Sequence, residues 1–296
     1  MSIVNEKLDL YSLPGRTPRT PANIGGLLIE SGRLTAQEVE RVMRLQQERG
    51  LRFGDAAIKL GLVTKFDVEQ ALSKQFEFPY LIPGQTRLSG ELVAAYAPLD
   101  PRIEVFRDLR SDLMLRWFKL DLRLRHLAIV SPGRNEGRSY LAANLAVVFS
   151  QLGERTLLID ADMRHPRQHA LFSLDNRTGL STLLSGRAGP EVIERIAPLQ
   201  NLSVLTAGPV PPNPQELLAR PAFHRFLEEL DRQFDVVILD SPAGQESADA
   251  QTIASRGCGA LLLARRNQTS ARAMRSLSAH LAAIGATLMG AVINTA

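Results

Sequence analysis

Short aliphatic runs alternate with helical stretches from Leu124 to the end of this sequence. The runs read "LAIVSP", "TLLIDAD", "LSVLTAG", "VVILDSP", "GALLLAR" and "LMGAVINT". Runs this short and this apolar are typical of strands buried on both faces, which occur in parallel sheets covered by helices. The alternation therefore predicts an α/β fold with a doubly wound, mostly parallel sheet, in which ligands bind beyond the carboxyl ends of the strands.

Polar side chains follow three of these predicted strands. The first strand runs into the turn "SPGRNEGRS" (131–139) and then a helix, the context in which a phosphate-binding loop holds phosphates on backbone N–H groups. The second ends in "LLIDADMR", with Asp160, Asp162 and Arg164, and another ends in "VVILDSPA", with Asp240. Mg²⁺ binds oxygen ligands and is commonly held by one or two carboxylates together with phosphates. The sequence therefore predicts a site for a Mg²⁺–nucleotide.

The loop departs from the pattern G-x-x-x-x-G-K-[ST], because Arg138 occupies the position of the Lys. Arg keeps a permanent charge and has a planar fork that suits phosphate, but it is bulkier than Lys and not interchangeable with it. Only five of the 35 basic residues are Lys, so a general preference for Arg could also account for Arg138. We expect phosphate binding to survive this change better than phosphoryl transfer, where a lost electrostatic contact costs about 3–4 kcal/mol.

The N-terminal part of the chain contains a tandem repeat. Residues 23–46, "NIGGLLIESGRLTAQEVERVMRLQ", align without gaps on residues 52–75, "RFGDAAIKLGLVTKFDVEQALSKQ". Each unit predicts a short helix, a Gly stop and a second helix that opens with a capping box, Thr35 with Glu38 or Thr64 with Asp67. Helical spacing assigns four residues of each second helix to one face: Val39, Val42, Met43 and Gln46, and Val68, Ala71, Leu72 and Gln75.

Neither repeat could bury its apolar face alone, so we predict one helical module over residues 21–84. Residues 1–20 are expected to form a flexible tail, residues 85–101 a linker, and residues 102–296 the nucleotide-binding domain. The linker is predicted from Pro and from small or polar residues.

Composition narrows the class of protein. An apolar share of 45% provides a core, and no uncharged apolar run approaches the roughly 20 residues of a membrane span. The single Cys258 excludes an intramolecular disulfide and argues against a zinc cluster. A net charge of +4 and 5% aromatic residues disfavour nucleic-acid binding. We therefore expect a cytoplasmic protein that does not bind nucleic acid.

The three motifs together resemble those of the bacterial tyrosine kinases (BY-kinases), in which the middle motif is three aliphatic residues followed by D-x-D-x-R. The segments "GPVPPNPQELL" (208–218) and "GAVIN" (290–294) fit the same family. The resemblance implies a sheet of the P-loop NTPase type, with ATP and Mg²⁺ as ligands. The family's assembly motif, E-x-x-R-x-x-R, matches Glu104, Arg107 and Arg110, which implies a homo-oligomer.

The resemblance also implies catalytic and metal-binding roles. Asp160 and Asp162 would share Mg²⁺ positioning and activation of a Tyr hydroxyl, and the residues alone do not divide these two tasks. Arg138 would act on the phosphoryl group, and Ser139, Asp160 and Asp240 would hold the metal.

Other residues are implied to bind the nucleotide. Arg164 would be structural or charge-stabilising, and Asn294 would contact adenine. Asn135 stands where relatives commonly have Gly, and Asn tolerates a left-handed backbone better than most residues. The implied nucleotide-binding residues are Gly133, Arg134, Asn135, Glu136, Gly137, Arg138, Ser139, Tyr140, Arg164 and Asn294.

The repeat module resembles the N-terminal module of type II secretion and pilus assembly ATPases, which binds cyclic di-GMP in some members. Arg52 matches an Arg of that motif and is the candidate ligand for guanine. Asn23 replaces the same Arg in the first unit, and Arg33 replaces an aliphatic residue, so the resemblance to a dinucleotide site is incomplete.

Combined, the two resemblances look most like an EpsG-type cytoplasmic subunit. Such a subunit would regulate chain length and export of an exopolysaccharide with a transmembrane chain-length determinant, reaching the inner membrane only through that partner. The four Tyr residues all precede the second motif, so self-phosphorylation of a C-terminal Tyr tail is not expected.

Two alternatives stay open. The chain could be a pseudokinase that binds nucleotide, with or without cyclic di-GMP, to regulate export. It could also be a partition-type ATPase, although Pro132 stands where that class has a second Lys.

Overall fold

The computed structural model describes residues 23–75, 80–97, 100–118, 125–256 and 258–295. The chain divides into two compact units, Met1–Phe78 and Pro79–Ala296. The predicted tail, residues 1–20, lies outside the described residues.

The first unit is helical, as the repeat predicts. Thr35 and Thr64 both form capping boxes: the Glu38 carboxylate accepts from Thr35 N at 2.8 Å, and the Asp67 carboxylate accepts from Thr64 N at 2.8 Å. The matched glycines after the two short helices both have a left-handed backbone, with φ of 70° at Gly32 and 68° at Gly61. The described helices are α1 (Ile24–Glu30), α2 (Ala36–Arg49), α3 (Phe53–Lys59) and α4 (Lys65–Gln75).

Both repeats contribute to one small core that includes Leu28, Val42 and Ala71. Met43 differs from the predicted buried face, because its side chain is 49% exposed. The strict helical period places Val42 at the centre of the contact and turns its neighbour toward solvent.

The second unit is a seven-stranded sheet with helices on both faces. The strands are β1 (His126–Val130), β2 (Thr156–Asp160), β3 (Glu194–Arg195), β4 (Leu202–Leu205), β5 (Val236–Asp240), β6 (Gly259–Arg265) and β7 (Thr287–Asn294). Their order in the sheet is β3-β4-β2-β5-β1-β6-β7, and every pair is parallel except the short edge pair β3 and β4. The predicted fold, a mostly parallel α/β sheet of the P-loop type, is confirmed.

Nine further helices lie in the described part of this unit, together with a π-helical turn at Met114–Phe118 and a 3₁₀ turn at Pro190–Val192. They are α5 (Val93–Tyr96), α6 (Pro101–Leu113), α7 (Arg138–Gln151), α8 (Gln168–Phe172), α9 (Leu180–Leu184), α10 (Pro214–Ala219), α11 (Pro221–Leu230), α12 (Asp249–Ala254) and α13 (Ala271–Ala283); α8 and α9 are single turns.

Alternate side chains of the central strands enter two different cores. Leu127 and Ile129 of β1 pack on the side of α6 and α7, whereas Ala128 and Val130 pack on the side of α11 and α13. Successive strand residues point to opposite faces of a sheet, so both faces are covered. The helix α7 is buried along almost its whole length.

The described part of the segment 85–101, predicted as a linker, packs within the second unit. Leu92, Ala94 and Ala95 are fully buried, and Asn144 of α7 accepts from Ala94 N at 2.9 Å. The same Asn144 donates to Glu91 O at 3.0 Å. A single helical turn, α5, is too short to show the periodicity by which longer helices are recognised.

No helix among the described residues is long and apolar enough to cross a membrane.

We predict that Asn144→Ala destabilises the second unit. The change leaves the buried Ala94 N–H and the Glu91 carbonyl without their partner, which costs roughly 1–3 kcal/mol in the free energy of unfolding. Urea unfolding measures this loss, and hydrogen exchange should accelerate at the Ala94 amide. Asn201→Ala, on the surface, is the control. An unchanged exchange rate at Ala94 would contradict the prediction.

Candidate functional site

The loop between β1 and α7 has the backbone of a phosphate-binding loop. Asn135 and Gly137 both have positive φ, 56° and 103°, as the tolerance of Asn for this conformation led us to expect. A Cβ on Gly137 would lie 2.5 Å from Asn294 Nδ2, so any other residue here would displace the Asn294 side chain as well as strain the backbone. Asn294 donates to Glu136 O at 3.0 Å and therefore lies against the loop.

Residues at the end of β6 and in the turn before α13 hold the loop in place. Glu136 is buried, and its carboxylate accepts from Gly133 N at 2.9 Å and from the Thr269 hydroxyl. Arg265 donates to Asn135 O at 2.9 Å, and Gln268 donates to Arg134 O at 3.1 Å. The sequence motifs do not identify this turn, because its residues are distant from the loop in the sequence and reach it only in the folded chain.

The Arg138 side chain is buried and turned toward the base of the loop. Its Nε donates to Ser241 O at 2.7 Å, and its Nη1 donates to Gly133 O at 2.6 Å and to the Ser131 hydroxyl. Nη2 donates to no acceptor in the part of the chain that the structure describes. The guanidinium therefore joins the loop to the end of β5 and leaves one nitrogen for a ligand.

Asp160 and Asp240 are paired residues of the neighbouring parallel strands β2 and β5, and both are buried. Asp160 Oδ2 accepts from the backbone N–H groups of Arg167 and Gln168 at 2.9 Å each. Asp240 Oδ2 accepts from Gln168 Nε2 at 2.8 Å. The other oxygen of each carboxylate, Oδ1, has no hydrogen-bond partner among the described residues.

Burial raises the pKa of Asp160 well above its ordinary value, and the charge of Asp240 adds to the rise. Burial also raises the pKa of Asp240 to about 6, although the hydrogen bond from Gln168 and the charge of Arg138 oppose it. Two adjacent buried carboxylates with free oxygens are a costly arrangement in the absence of a cation. These oxygen donors, with the Ser139 hydroxyl close by, fit Mg²⁺.

Asp162 has a different environment from Asp160. Its Oδ1 accepts from Arg164 N at 3.2 Å and from His165 N at 2.9 Å. Asp162 lines a polar cavity of about 240 Å³ together with loop residues 134–139, and Asp160 is not in that lining. The two aspartates of the middle motif therefore differ in access to a ligand in the cavity.

Arg164 does not line this cavity. Its Nε donates to Asp249 Oδ2 at 2.8 Å and its Nη2 to Asp249 Oδ1 at 3.3 Å, which ties the end of β2 to the start of α12. The Asp249 side chain is 1% exposed. No motif pointed to Asp249, and the contact favours the structural alternative for Arg164.

Tyr140 and Asn294 line a second, largely apolar cavity of about 220 Å³. Gly137 also borders it, so the two cavities meet at the loop. The Tyr140 ring contacts Phe106 edge to face, with centroids 6.0 Å apart.

The predicted assembly residues make contacts within the second unit. Arg107 donates to Tyr80 OH at 2.6 Å and pairs with Glu104, and Arg110 donates to Val148 O at 3.0 Å. Glu104 is exposed.

Arg52 belongs to the other unit. It is exposed and precedes α3, whereas its counterpart Asn23 caps α1 through Gly26 N at 2.7 Å. Arg33 pairs with Asp67 at 3.2 Å, which gives this departure from the repeat motif a structural role.

Comparison with known proteins identifies relatives of this chain whose names fit a site made of a phosphate-binding loop and three carboxylates. The tyrosine-protein kinase YwqD of Bacillus subtilis is 34% identical over 209 residues, which cover 71% of this chain and 87% of that protein. The chain belongs to the bacterial tyrosine kinases. No protein-family model matches it.

Solved structures of this family share the fold. The kinase domain of Escherichia coli tyrosine kinase ETK is 31% identical with a TM-score of 0.66, covering 71% of this chain and 81% of that one. The chimerical protein CapA2B2 is 33% identical with a TM-score of 0.64, covering 76% of this chain and 98% of that one. The resemblance inferred from the motifs is therefore confirmed at the level of the family.

We predict that Asp240→Asn stabilises the ligand-free protein in a pH-dependent way. The pKa of Asp240 is higher in the folded than in the unfolded chain, so ionisation destabilises the fold, and stability falls as pH rises from about 4 through 6. The variant should gain roughly 1–3 kcal/mol in the free energy of unfolding near pH 8 and much less near pH 4. Denaturant unfolding at both pH values, with exposed Asp112→Asn as control, tests this; an equal gain at both would contradict it.

Proposed function

We propose that the chain binds Mg²⁺–ATP at the loop of residues 131–139 and transfers the γ-phosphoryl group to a tyrosine hydroxyl. The observation that carries the proposal is that Gln168 joins Ser139 of this loop to Asp240, which pairs with Asp160, and that the Oδ1 atoms of both buried aspartates have no hydrogen-bond partner among the described residues. Membership of the tyrosine kinase family supports the same reaction. In the transfer, the bond from the γ-phosphorus to the β–γ bridging oxygen breaks and a bond to the tyrosine oxygen forms.

The ligands of Mg²⁺ would be Ser139 and the buried pair Asp160 and Asp240. When bound, Mg²⁺ neutralises charge on the phosphate oxygens. The chain orients the metal's ligands through the hydrogen bonds that fix one oxygen of each carboxylate.

Asp162 is the proposed acceptor of the tyrosine proton. It lines the polar cavity, whereas Asp160 is covered by the backbone N–H groups of the following turn. A general base must lie within hydrogen-bond reach of the proton it accepts, and a place in the cavity lining gives Asp162 that access. This assignment divides the two roles that the sequence leaves open.

Arg138 is proposed to bind phosphate through Nη2. Its other nitrogens already donate to protein acceptors, so it stabilises the empty loop as well as the bound nucleotide. A Lys ammonium at this position would be a compact charge free to turn toward the phosphates. We infer that Arg138 favours nucleotide binding over phosphoryl transfer. The adenine of the nucleotide is proposed to lie toward Asn294.

The wider proposal is a cytoplasmic subunit that acts with a transmembrane chain-length determinant in exopolysaccharide export. Homo-oligomer formation through the exposed Glu104, with Arg107 and Arg110, belongs to the same proposal. The pseudokinase is the second candidate, because two of the three guanidinium nitrogens of Arg138 already donate to protein acceptors. Cyclic di-GMP binding stays a prediction that rests on Arg52.

We predict that purified protein with Mg²⁺–ATP phosphorylates a tyrosine copolymer, and faster when the cytoplasmic segments of its membrane partner are added. Asp162→Asn should lower kcat by roughly 10²–10⁴ through loss of the proton acceptor, with ATP affinity nearly unchanged. Asp160→Ala should also weaken the Mg²⁺ dependence of ATP binding. Asp112→Asn controls for loss of a surface charge.

Arg138→Lys separates the two leading candidates. We expect faster turnover, because an ammonium can reach the transferring group, and a loss of roughly 1–3 kcal/mol in stability from the broken loop contacts. Absence of turnover in every wild-type condition, with measurable ATP binding, would contradict the kinase and favour the pseudokinase.

A further inference from the structure

Gln168, the first residue of α8, contacts all three motifs of the site. Its backbone N–H donates to Asp160 Oδ2 at 2.9 Å. Its side-chain Nε2 donates to Asp240 Oδ2 at 2.8 Å and to Ser139 O at 3.1 Å. The residue is fully buried, and it lies outside the motifs from which the site was predicted.

The two contacts of the side-chain nitrogen fix the orientation of the amide. Asp240 Oδ2 and Ser139 O are both acceptors, so the NH₂ group must face them and the carbonyl oxygen must point elsewhere. Both hydrogens of Nε2 are thereby used. Oε1 is buried and has no hydrogen-bond partner among the residues described.

Three buried acceptors without donors therefore occur on residues that contact one another. They are Gln168 Oε1, Asp160 Oδ1 and Asp240 Oδ1. An unpaired buried acceptor is unfavourable, so three together indicate a missing donor or cation. A partly hydrated divalent cation supplies both, since Mg²⁺ usually keeps several waters and each water donates hydrogen bonds.

We infer that Gln168 is a positioning residue of the Mg²⁺ site, an inference that rests on the proposed function. Its Nε2 holds Asp240 Oδ2 so that Oδ1 stays available to the hydrated cation, and its Oε1 accepts from a water of that cation. The bond to Ser139 O holds the first turn of α7 in the same arrangement. Partners of this kind orient the groups that contact the metal.

The test measures how strongly Mg²⁺ improves nucleotide binding. ADP is titrated calorimetrically into the full chain in excess Mg²⁺ and in EDTA, and the ratio of the two dissociation constants is compared between variants. Gln168→Met keeps the volume and the backbone N–H that holds Asp160, but it removes both amide functions. We expect this ratio to fall about 10-fold or more, with the dissociation constant in EDTA unchanged.

Two further variants make the comparison specific. Gln168→Asn keeps the amide but is one methylene too short to reach Asp240, so it should lower the ratio in the same direction even if Gln168→Met fails to fold. Gln151→Met is the matched control: Gln151 is buried at the opposite end of α7 and donates to Ala94 O at 2.8 Å. It should lower stability and leave the ratio at the wild-type value.

The outcomes distinguish this inference from the proposed function. A wild-type ratio retained in both Gln168 variants would overturn the inference, as would equal weakening in Mg²⁺ and EDTA, which is the signature of a role in folding the loop. Wild-type protein that binds ADP with no help from Mg²⁺ would overturn it while leaving nucleotide binding intact. No ADP binding by the wild type would overturn the proposed function itself.

Discussion

The pairing of β2 with β5 is the constraint on which the site depends. In-register parallel pairing sets Asp160 directly beside Asp240 at the last position of both strands. Like charges so close, and both buried, oppose ionisation of the pair. The surrounding structure must therefore supply compensation: backbone N–H groups of Arg167 and Gln168 donate to Asp160, the Gln168 side chain donates to Asp240, and the charge of Arg138 favours the ionised form of Asp240.

These compensating contacts explain why the turn before α8 and the Arg138 side chain lie where they do. The turn from Arg167 to Gln168 has to run over Asp160, because its two N–H groups are the donors to that carboxylate. Arg138 has to lie inward to reach Ser241, the residue after Asp240. The phosphate-binding loop is in this way also bonded, through Arg138, to the strand end that carries Asp240.

Local sequence is enough to predict the main strands and the polar residues at their ends. The structure brings those strand ends together. Gln168, Asp249 and Thr269 could not be identified in this way, since each acts through a partner at least 29 residues away in the chain. The packing of residues 91–96 could not be predicted from hydrophobic periodicity either. One helical turn has no measurable period, and its stability comes from Asn144 and Gln151 on α7.

The exchange of Lys for Arg shows why a motif position and its side-chain geometry are separate questions. A Lys would present one charged atom, whereas Arg138 divides its donors between the protein and the cavity. The protein-facing bonds stabilise the loop before any ligand arrives, which lowers the ordering cost of binding. Catalysis instead requires stabilisation that exists only in the transition state, and donors already satisfied in the empty site cannot provide it. The same contacts that make Arg138 a good component of a binding loop therefore limit what it contributes to phosphoryl transfer.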